Sequence, residues 1–354
     1  MRLLVRPRAR GIALAAAVVV LALNACTGRD PVSRGKVRAF DTSFDITLIG
    51  VSRERAAQAT ELLTSDFETM ERAWHAWKPG PVTRMNELFN AGSEPFTAPP
   101  SVMPILRLAR QLSLQSDGLF NPAIGHLVRA WGFQGRSTDC LRPPPQSVIE
   151  TAVNANPGMG DIQIDGLRVS SSNAMVKLDF RHIQLGFAID QAIARLQEMD
   201  INNASIVADG AVRAIGSRGG NAWSVSVPGP DGGGILATLR IEGNEAAFTL
   251  APSRDGFTWE GRRFHDVIDP RTGYPAEGIT SVTVLHPNAS TAEAAANALF
   301  VAGPDDWPRV ARLMGLRYVM LTDDQGRLLM NPAMQARVTL HTHNREVIIS
   351  EPLT

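Results

Sequence analysis

The sequence is poor in cysteine and lysine and has no excess charge of either sign. Its 354 residues include two cysteines, Cys26 and Cys140, which excludes a disulfide framework and a metal site built from thiolates. The formal net charge is zero at pH 7, so no charged polymer such as nucleic acid is implied as a partner. Only three lysines accompany the many arginines, which indicates genomic base composition rather than function.

Hydrophobic residues make up 44% of the chain, which is enough for a large core, and no internal repeat is visible. Apolar residues at helical spacing predict six helices. The segment Gln134 to Gly160 is predicted to be a loop. The predicted helices are Arg53 to Trp77, Ser101 to Ser116, Asn121 to Trp131, Gly186 to Met199, Ala289 to Ala302 and Trp307 to Met314. Short alternating segments, among them Met175 to Asp179, predict antiparallel strands. We therefore expect an α+β fold of antiparallel sheets with packed helices.

The N-terminus has the pattern of an export signal. Four arginines within residues 2–10 precede the uncharged run Gly11 to Leu23, which is too short to span a membrane comfortably. Leu23-Asn24-Ala25-Cys26 then resembles a bacterial lipobox, with cleavage before Cys26 and lipid on its sulfur. We expect a signal peptide over residues 1–25, a tether over 26–38 and one domain over 39–354. An ordinary signal peptide or an uncleaved anchor are the alternatives.

The segment His265 to Pro275 carries the densest polar chemistry. It reads as a tight loop, because Asp269-Pro270 and Thr272-Gly273 favour turns, and it is followed by a buried strand and a helix rich in small residues. The alternative is a well-made turn with no chemical role.

Two oxygen-bearing side chains lie one turn apart in that helix. Glu293 and Asn297 are four residues apart on one face, among alanines that would let a ligand approach the backbone. Carboxylate and amide oxygens suit a hard cation such as magnesium. The alternative is a Glu–Asn pair on a solvated face.

Three other segments join strands and helices through polar turns. Asp179 ends a predicted strand and could accept hydrogen bonds from a ribose, whereas Asp190 is expected to pair or to cap a helix. Asn121 is a candidate N-cap with Pro122 in the first helical position. Asp209 to Gly216 contains a glycine that would let a phosphate or a ring come close, although a plain hairpin is the simpler reading.

Taken in order, these segments resemble the ApbE-type FAD:protein FMN transferases. The resemblance spans residues 37 to about 350, and its strength lies in the order of individually weak motifs. The segments that carry it are Phe40 to Phe44, Trp77 to Asn86, Ser116 to Phe133, Leu178 to Asp190, Asp209 to Gly216, His265 to Pro275 and Ala292 to Gly303. It implies an ApbE-like, T-fold-like architecture.

Several positions depart from the family pattern. Glu293 and Asn297 stand where the family has its metal-binding Asp and Thr, and Leu185 stands where it has a Lys. Arg181 and His182 replace two glycines, so Arg181 is a candidate substitute for the missing Lys as a phosphate contact.

The resemblance implies a magnesium-dependent transfer of FMN from FAD to a Thr or Ser hydroxyl of a partner protein, with release of AMP. His265 or Asp266 is the expected general base. Oxygens of Glu293, Asn297 and the backbone near His182 are the expected metal ligands. The expected flavin contacts are Phe40, Trp77, Leu119, Phe120, Asn121, Asp179, Leu185 and Val267. The enzyme would act at the periplasmic face of the bacterial cell envelope, held to a membrane by lipid.

Three alternatives remain at this point. A FAD pyrophosphatase would use water in place of the hydroxyl. A non-catalytic flavin-binding lipoprotein would bind the cofactor without turnover. A purely structural lipoprotein would bind no flavin at all.

Overall fold

The computed structural model describes residues 30–135, 142–229, 234–251, 256–342 and 345–353. Cys26 and Cys140 lie outside these ranges. No helix within them is both long enough and apolar enough to cross a lipid bilayer.

Eight α-helices and one short 3-10 helix (Met159–Asp161) accompany the sheets in the described part of the chain. The α-helices are α1 (Arg53–Trp74), α2 (Pro81–Ala91), α3 (Met103–Gln115), α4 (Gly125–Ala130), α5 (Gln146–Ala155), α6 (Gln184–Glu198), α7 (Ala289–Leu313) and α8 (Pro332–Gln335). The backbone of α7 is interrupted at Gly303, whose φ is 79°, and this break matches the two helices predicted there.

Seventeen strands form four sheets in the same ranges. They are β1 (Val32–Ala39), β2 (Thr42–Ile49), β3 (Phe96–Thr97), β4 (Ile162–Asp165), β5 (Arg168–Ser171), β6 (Ala204–Ala208), β7 (Ala211–Ile215), β8 (Trp223–Pro228), β9 (Ile235–Ile241), β10 (Glu245–Leu250), β11 (Gly256–Trp259), β12 (Arg262–His265), β13 (Ile279–His286), β14 (Tyr318–Asp323), β15 (Leu328–Met330), β16 (Val338–Leu340) and β17 (Val347–Ile349). The expected α+β fold class is confirmed.

The largest sheet has nine strands in the order β1-β2-β6-β7-β10-β13-β14-β15-β17. Every neighbouring pair in it is antiparallel except β15 and β17. Helices α1, α6 and α7 pack on one face through the main hydrophobic core. The sheet β16-β9-β8 contributes to a second core with residues of β7, β10, β13 and β14. The buried strand β13 and the buried first half of α7 therefore follow the loop His265 to Pro275, as the sequence predicts.

The start of α6 is pressed against the start of α7. Gly186 lies so close to Ala289 that a Cβ at Gly186 would overlap the Ala289 backbone. Asp190 accepts hydrogen bonds from the backbone N–H groups of Ala289 and Ser290, at 2.8 and 3.0 Å, and pairs with Arg213. Asp190 therefore caps α7, as expected, and this contact fixes where the next turn of α7 places its side chains.

Two predicted boundaries differ from the structure. The predicted tether extended to residue 38, but β1 pairs with β2 along its whole length and buries Val37 and Ala39. The predicted loop after Gln134 contains α5, which buries Ile149 and Ala152 beside Trp131. In both places the apolar pattern is short and lies among polar residues and prolines, so the sequence alone does not predict the element. The burial of these residues against the neighbouring core becomes visible only in the structure.

Two local predictions are wrong for reasons of hydrogen bonding. Asn121 caps no helix: its Oδ1 accepts from the Ala123 N–H within a turn, and the next helix begins at Gly125. The segment Met175 to Asp179 makes only an isolated bridge, between Ile124 and Lys177, in place of a strand.

Candidate active site

A cavity of about 650 Å³ opens beside the helix side of the nine-stranded sheet. Its walls come from the β1–β2 turn, the end of α1, the start of α6, the β6–β7 turn, the end of β10 and the first turns of α7. Seven of the residues predicted for the site line it, namely Phe40, Trp77, Asp179, His182, Leu185, Asp266 and Glu293. Residues far apart in sequence thus converge on one space large enough for a dinucleotide's ring systems.

A second cavity of about 30 Å³ adjoins the first. It is lined by four other predicted residues, Leu119, Phe120, Asn121 and Asn297. Asp179, Arg181, His182 and Asp266 border both cavities and separate them. The predicted site residues are therefore divided between two adjacent spaces.

The partition between the cavities is built around the Arg181 guanidinium. Its Nε lies 2.9 Å from Asp179 Oδ2, its Nη1 donates to the Phe133 carbonyl, and Nη1 lies 3.8 Å from Asp266 Oδ2. Trp77 Nε1 also donates to Asp179 Oδ2, at 3.2 Å. Hydrogen bonds therefore hold the turn after residue 178 in place, and this turn carries one positive charge at the boundary of both cavities.

His182 sits in this partition without a hydrogen bond to its Nε2. That nitrogen is buried and lies 3.8 Å from Asp266 Oδ2. Burial lowers the pKa of His182 against the opposing effect of Asp266, so the imidazole is neutral at pH 7. A side chain that replaces glycine in the family pattern thus fills the wall between the two cavities.

Glu293 is a buried acid in the second turn of α7, and it contacts the start of α6. It is 3% exposed, and its Oε2 accepts from the Gly186 N–H at 2.6 Å. Burial raises the pKa of Glu293 well above its ordinary value, and the nearby carboxylates Asp190 and Asp209 raise it further. The alternative of a solvated Glu–Asn pair is wrong, since Asn297 is also only 6% exposed.

The large cavity is strongly acidic. Among the described residues its lining includes six carboxylates, those of Asp41, Glu71, Asp179, Asp209, Asp266 and Glu293. Arg181 is the only lysine or arginine among the described lining residues. An anionic diphosphate would be repelled by such a lining unless a cation entered with it.

The donors present suit a hard divalent cation. No three His, Cys, Asp or Glu side chains converge as a metal site in the described part of the chain. A cation at Glu293 would therefore also need amide or backbone oxygens, which magnesium accepts. Glu293 faces the large cavity and Asn297 the small one, so the predicted ligand pair flanks the partition.

His265 and Val267 line neither cavity. His265 Nε2 donates to the Ala276 carbonyl at 3.0 Å, its Nδ1 accepts from the Val267 N–H at 3.3 Å, and its ring packs edge-on against Phe300. Successive residues of an extended segment point to opposite sides, so Asp266 faces the cavities where His265 does not. The prediction that His265 takes a proton from a substrate finds no support in this placement.

The turn after Asp266 has a structural role. Asp269 accepts from the backbone and guanidinium of Arg271, and Trp131 Nε1 donates to the Gly273 carbonyl at 2.8 Å. Gly273 has a φ of 74°, and a side chain there would meet Ile149. The packing of the loop thus anchors Asp266, and its Asp269-Pro270 and Thr272-Gly273 pairs form turns.

Sequence reasoning missed several lining residues. His75, Asp41 and Glu71 line the large cavity, yet they lie at the end of α1 or in a hairpin turn with no pattern of their own. No sequence signal marked this hairpin, because the residues of β1 are predicted as a tether and Phe40 is not a usual turn residue. In the structure Phe40 and Asp41 both adopt positive φ, 52° and 55°.

Comparisons with known proteins agree with this architecture. Residues 40–320 match the model of the ApbE family. The chain is 36% identical over 334 residues to an FAD:protein FMN transferase of Rhodobacter capsulatus, covering 93% of this chain and 62% of that relative. It therefore spans less than two thirds of that relative's length. A second FAD:protein FMN transferase, from Haemophilus influenzae, is 25% identical over 325 residues and is covered to 92%.

Solved structures show the same fold. The ApbE protein of Thermotoga maritima superposes with a TM-score of 0.78 at 26% identity, covering 87% of this chain and 99% of that chain. The flavin transferase ApbE of Vibrio cholerae has a TM-score of 0.75 at 22% identity, a likeness of fold alone.

Proposed function

Since the chain belongs to the ApbE family, we propose that it transfers FMN from FAD to a Thr or Ser hydroxyl of a partner protein and releases AMP. The observation that supports this proposal is that aromatic side chains and a buried acid line the same cavity. Phe40 and Trp77 offer planar surface to a flavin or adenine ring, and Glu293 faces the same space. The named relatives support the choice of reaction.

Magnesium dependence is part of the proposal. The excess of carboxylates around the cavity favours a bound cation, and an ion beside Glu293 would offset the cost of burying its charged form. Glu293 and Asn297, with a backbone oxygen near His182, would hold the ion. When bound, it neutralises negative charge on the diphosphate. Because a carboxylate has several lone pairs, the bond from Gly186 to Glu293 Oε2 leaves room for a metal bond.

Asp266 is the proposed base. It borders both cavities, and its carboxylate would take the proton of the acceptor hydroxyl as that oxygen forms a bond to the FMN phosphorus. The bond from that phosphorus to the bridging oxygen of the diphosphate breaks at the same time, and AMP leaves with the bridging oxygen. His182 lies beside Asp266 as a neutral group, so it adds no charge to this carboxylate.

Arg181 is the proposed fixed contact for the diphosphate. Asp179 and the Phe133 carbonyl hold its Nε and Nη1, which leaves Nη2 for a phosphate oxygen. This role replaces that of the lysine whose position Leu185 occupies. Asp179 accepts hydrogen bonds from both Arg181 and Trp77 and so orients them. This role is additional to its predicted contact with a sugar hydroxyl.

We also propose that the chain is exported and lipid-anchored at Cys26, with the domain on the periplasmic side of a membrane. The arginines, the uncharged run and the lipobox of the first 26 residues support this location. Metabolic labelling with a radioactive fatty acid would incorporate label into the unaltered chain and none into Cys26→Ser. Label in both proteins would refute the anchor.

The transfer is tested by incubating the protein with FAD, magnesium and an acceptor peptide that contains Thr, followed by mass spectrometry. We expect the peptide to gain the mass of an FMN phosphodiester, and AMP to appear in equal amount. A second arm contains EDTA, and a third contains a Thr→Val peptide. Free FMN without labelled peptide would identify a pyrophosphatase instead. Bound FAD that stays intact with several acceptors would identify a flavin-binding protein without turnover.

A further inference from the structure

His75 is a cavity residue with no part in the mechanism above. It follows the last residue of α1 and lines the large cavity. Its Nδ1 accepts hydrogen bonds from the backbone N–H groups of Trp77 and Lys78, both at 3.0 Å. These two bonds fix the imidazole ring and turn its opposite edge away from the backbone.

The two bonds also determine the tautomer. A ring nitrogen that accepts a hydrogen bond carries no proton, so the proton of a neutral His75 resides on Nε2. Burial and the charge of Lys78 lower the pKa of His75, which keeps the ring neutral. Among the described residues Nε2 has no hydrogen-bond partner, so an N–H donor is available to the cavity.

The groups around His75 favour an uncharged ligand atom as the acceptor of the hydrogen bond from its Nε2–H group. The carboxylates of Asp41 and Glu71 line the same cavity and act electrostatically on His75. Two negative charges oppose a phosphate at this position, but they can accept from the N–H groups of a heterocycle. Trp77, two residues on, supplies an aromatic wall against which such a ring can stack.

We propose that His75 is a substrate-contacting specificity residue that donates from Nε2 to a ring nitrogen or ring carbonyl of FAD. This inference rests on the proposed function, since it takes FAD as the ligand. The contact selects a planar heterocycle with neutral acceptors, a description that fits both the adenine and the isoalloxazine ring. It discriminates against ligands that present only phosphate.

Two substitutions separate the donor from the structural bond. In His75→Asn, the side-chain oxygen can replace Nδ1 as acceptor for the two backbone N–H groups, while the distant donor is lost. In His75→Gln, an N–H donor remains near the position of Nε2, while the local acceptor is lost. Isothermal titration of each full-length protein with FAD, riboflavin, AMP and inorganic pyrophosphate measures the consequence.

We expect His75→Asn to bind FAD about five- to tenfold more weakly with an unchanged melting temperature, since one neutral hydrogen bond is lost. His75→Gln should have a lower melting temperature and near-normal FAD affinity. Weakened riboflavin binding would place the isoalloxazine at His75, and weakened AMP binding would place adenine there.

Equal affinities of His75→Asn and the unaltered protein for FAD, riboflavin and AMP would overturn the inference and leave the proposed function intact. Weakened binding of pyrophosphate would also overturn it. If the unaltered protein binds neither FAD nor its parts, the proposed function fails as well, and the two failures are therefore distinguishable.

Discussion

Among single residues, the proposed mechanism depends most on one buried carboxyl group. Glu293 is fully buried, and its surroundings include other acids, so its charged form is costly unless a cation is close. The same residue holds the N–H of Gly186, which gives it a structural contact as well. Replacing it by Gln removes the charge and keeps an oxygen that can accept this bond.

We predict that Glu293→Gln loses the magnesium-dependent transfer by more than about 100-fold, because charge on the diphosphate is no longer neutralised. Its melting temperature at pH 7.5 should be equal to or higher than that of the unaltered protein, because a buried charge is removed. Initial rates of peptide labelling and thermal unfolding check the two effects. Unchanged turnover would refute the metal assignment.

Asp266 and His265 form a natural pair of variants because only the former borders the cavities. We predict that Asp266→Asn lowers the transfer rate by about 10²–10⁴-fold with little change in FAD affinity, as expected for loss of a general base. His265→Gln should mainly lower the melting temperature, since His265 bonds to Ala276 and packs on Phe300. The opposite pattern, with His265→Gln inactive at full stability, would restore His265 as the base.

At the scale of secondary-structure elements, the contact between α6 and α7 positions the site. Gly186 meets the backbone of Ala289, and Asp190 caps α7 from the next turn of α6. This packing brings Glu293 within 2.6 Å of the Gly186 N–H. A larger residue at Gly186 would push apart the two helix ends that hold the site.

We predict that Gly186→Ala lowers the free energy of unfolding by about 1–3 kcal/mol and reduces FAD affinity, because overpacked backbone must shift. Gly92→Ala is the control, since that glycine has an extended backbone and open space around it. Its effect should stay within about 0.5 kcal/mol. Urea unfolding measures both, and a Gly186→Ala protein as stable as the control would contradict the packing argument.

The sequence predicts the elements with strong periodicity and misses those whose pattern depends on a neighbour. The break in α7 and the burial of β13 follow from local composition, whereas α5 and β1 are visible only once Trp131 and β2 are in place. Within the site, Asp179, Asp266 and Glu293 are found from motifs. The motifs do not predict that Glu293 and Asn297 line two different cavities, because this division depends on the Arg181 side chain from another segment.

At the scale of the whole molecule, buried histidines couple stability to pH. Burial is the largest cause of a lowered pKa at His75, His126, His182, His265 and His286. Each of these groups takes up a proton in the unfolded chain at a higher pH than in the folded chain. The contribution of these histidines to folding stability is therefore fully present above their pKa in the unfolded chain, 6.5. It decreases as the pH falls below that value. The raised pKa of Glu293 acts in the opposite direction, as a single group.

We predict that the free energy of unfolding decreases between pH 7.5 and pH 5.5, because several histidines with a lowered pKa outweigh the single raised pKa of Glu293. His286→Asn should show a smaller decrease, because an Asn oxygen can replace the ring nitrogen that accepts from the Asn288 N–H. Urea unfolding in matched buffers checks the trend. A stability that is constant or rises over this interval would contradict it.

The proposed mechanism requires that a flavin dinucleotide and a divalent cation share the cavity of Phe40, Trp77 and Glu293. The most direct test is a crystal structure with FAD and Mn²⁺, in which the anomalous signal locates the ion. We expect a planar ring of FAD against Trp77 and an ion bonded to a Glu293 oxygen beside the diphosphate. An ion elsewhere, or a dinucleotide bound outside this cavity, would contradict it.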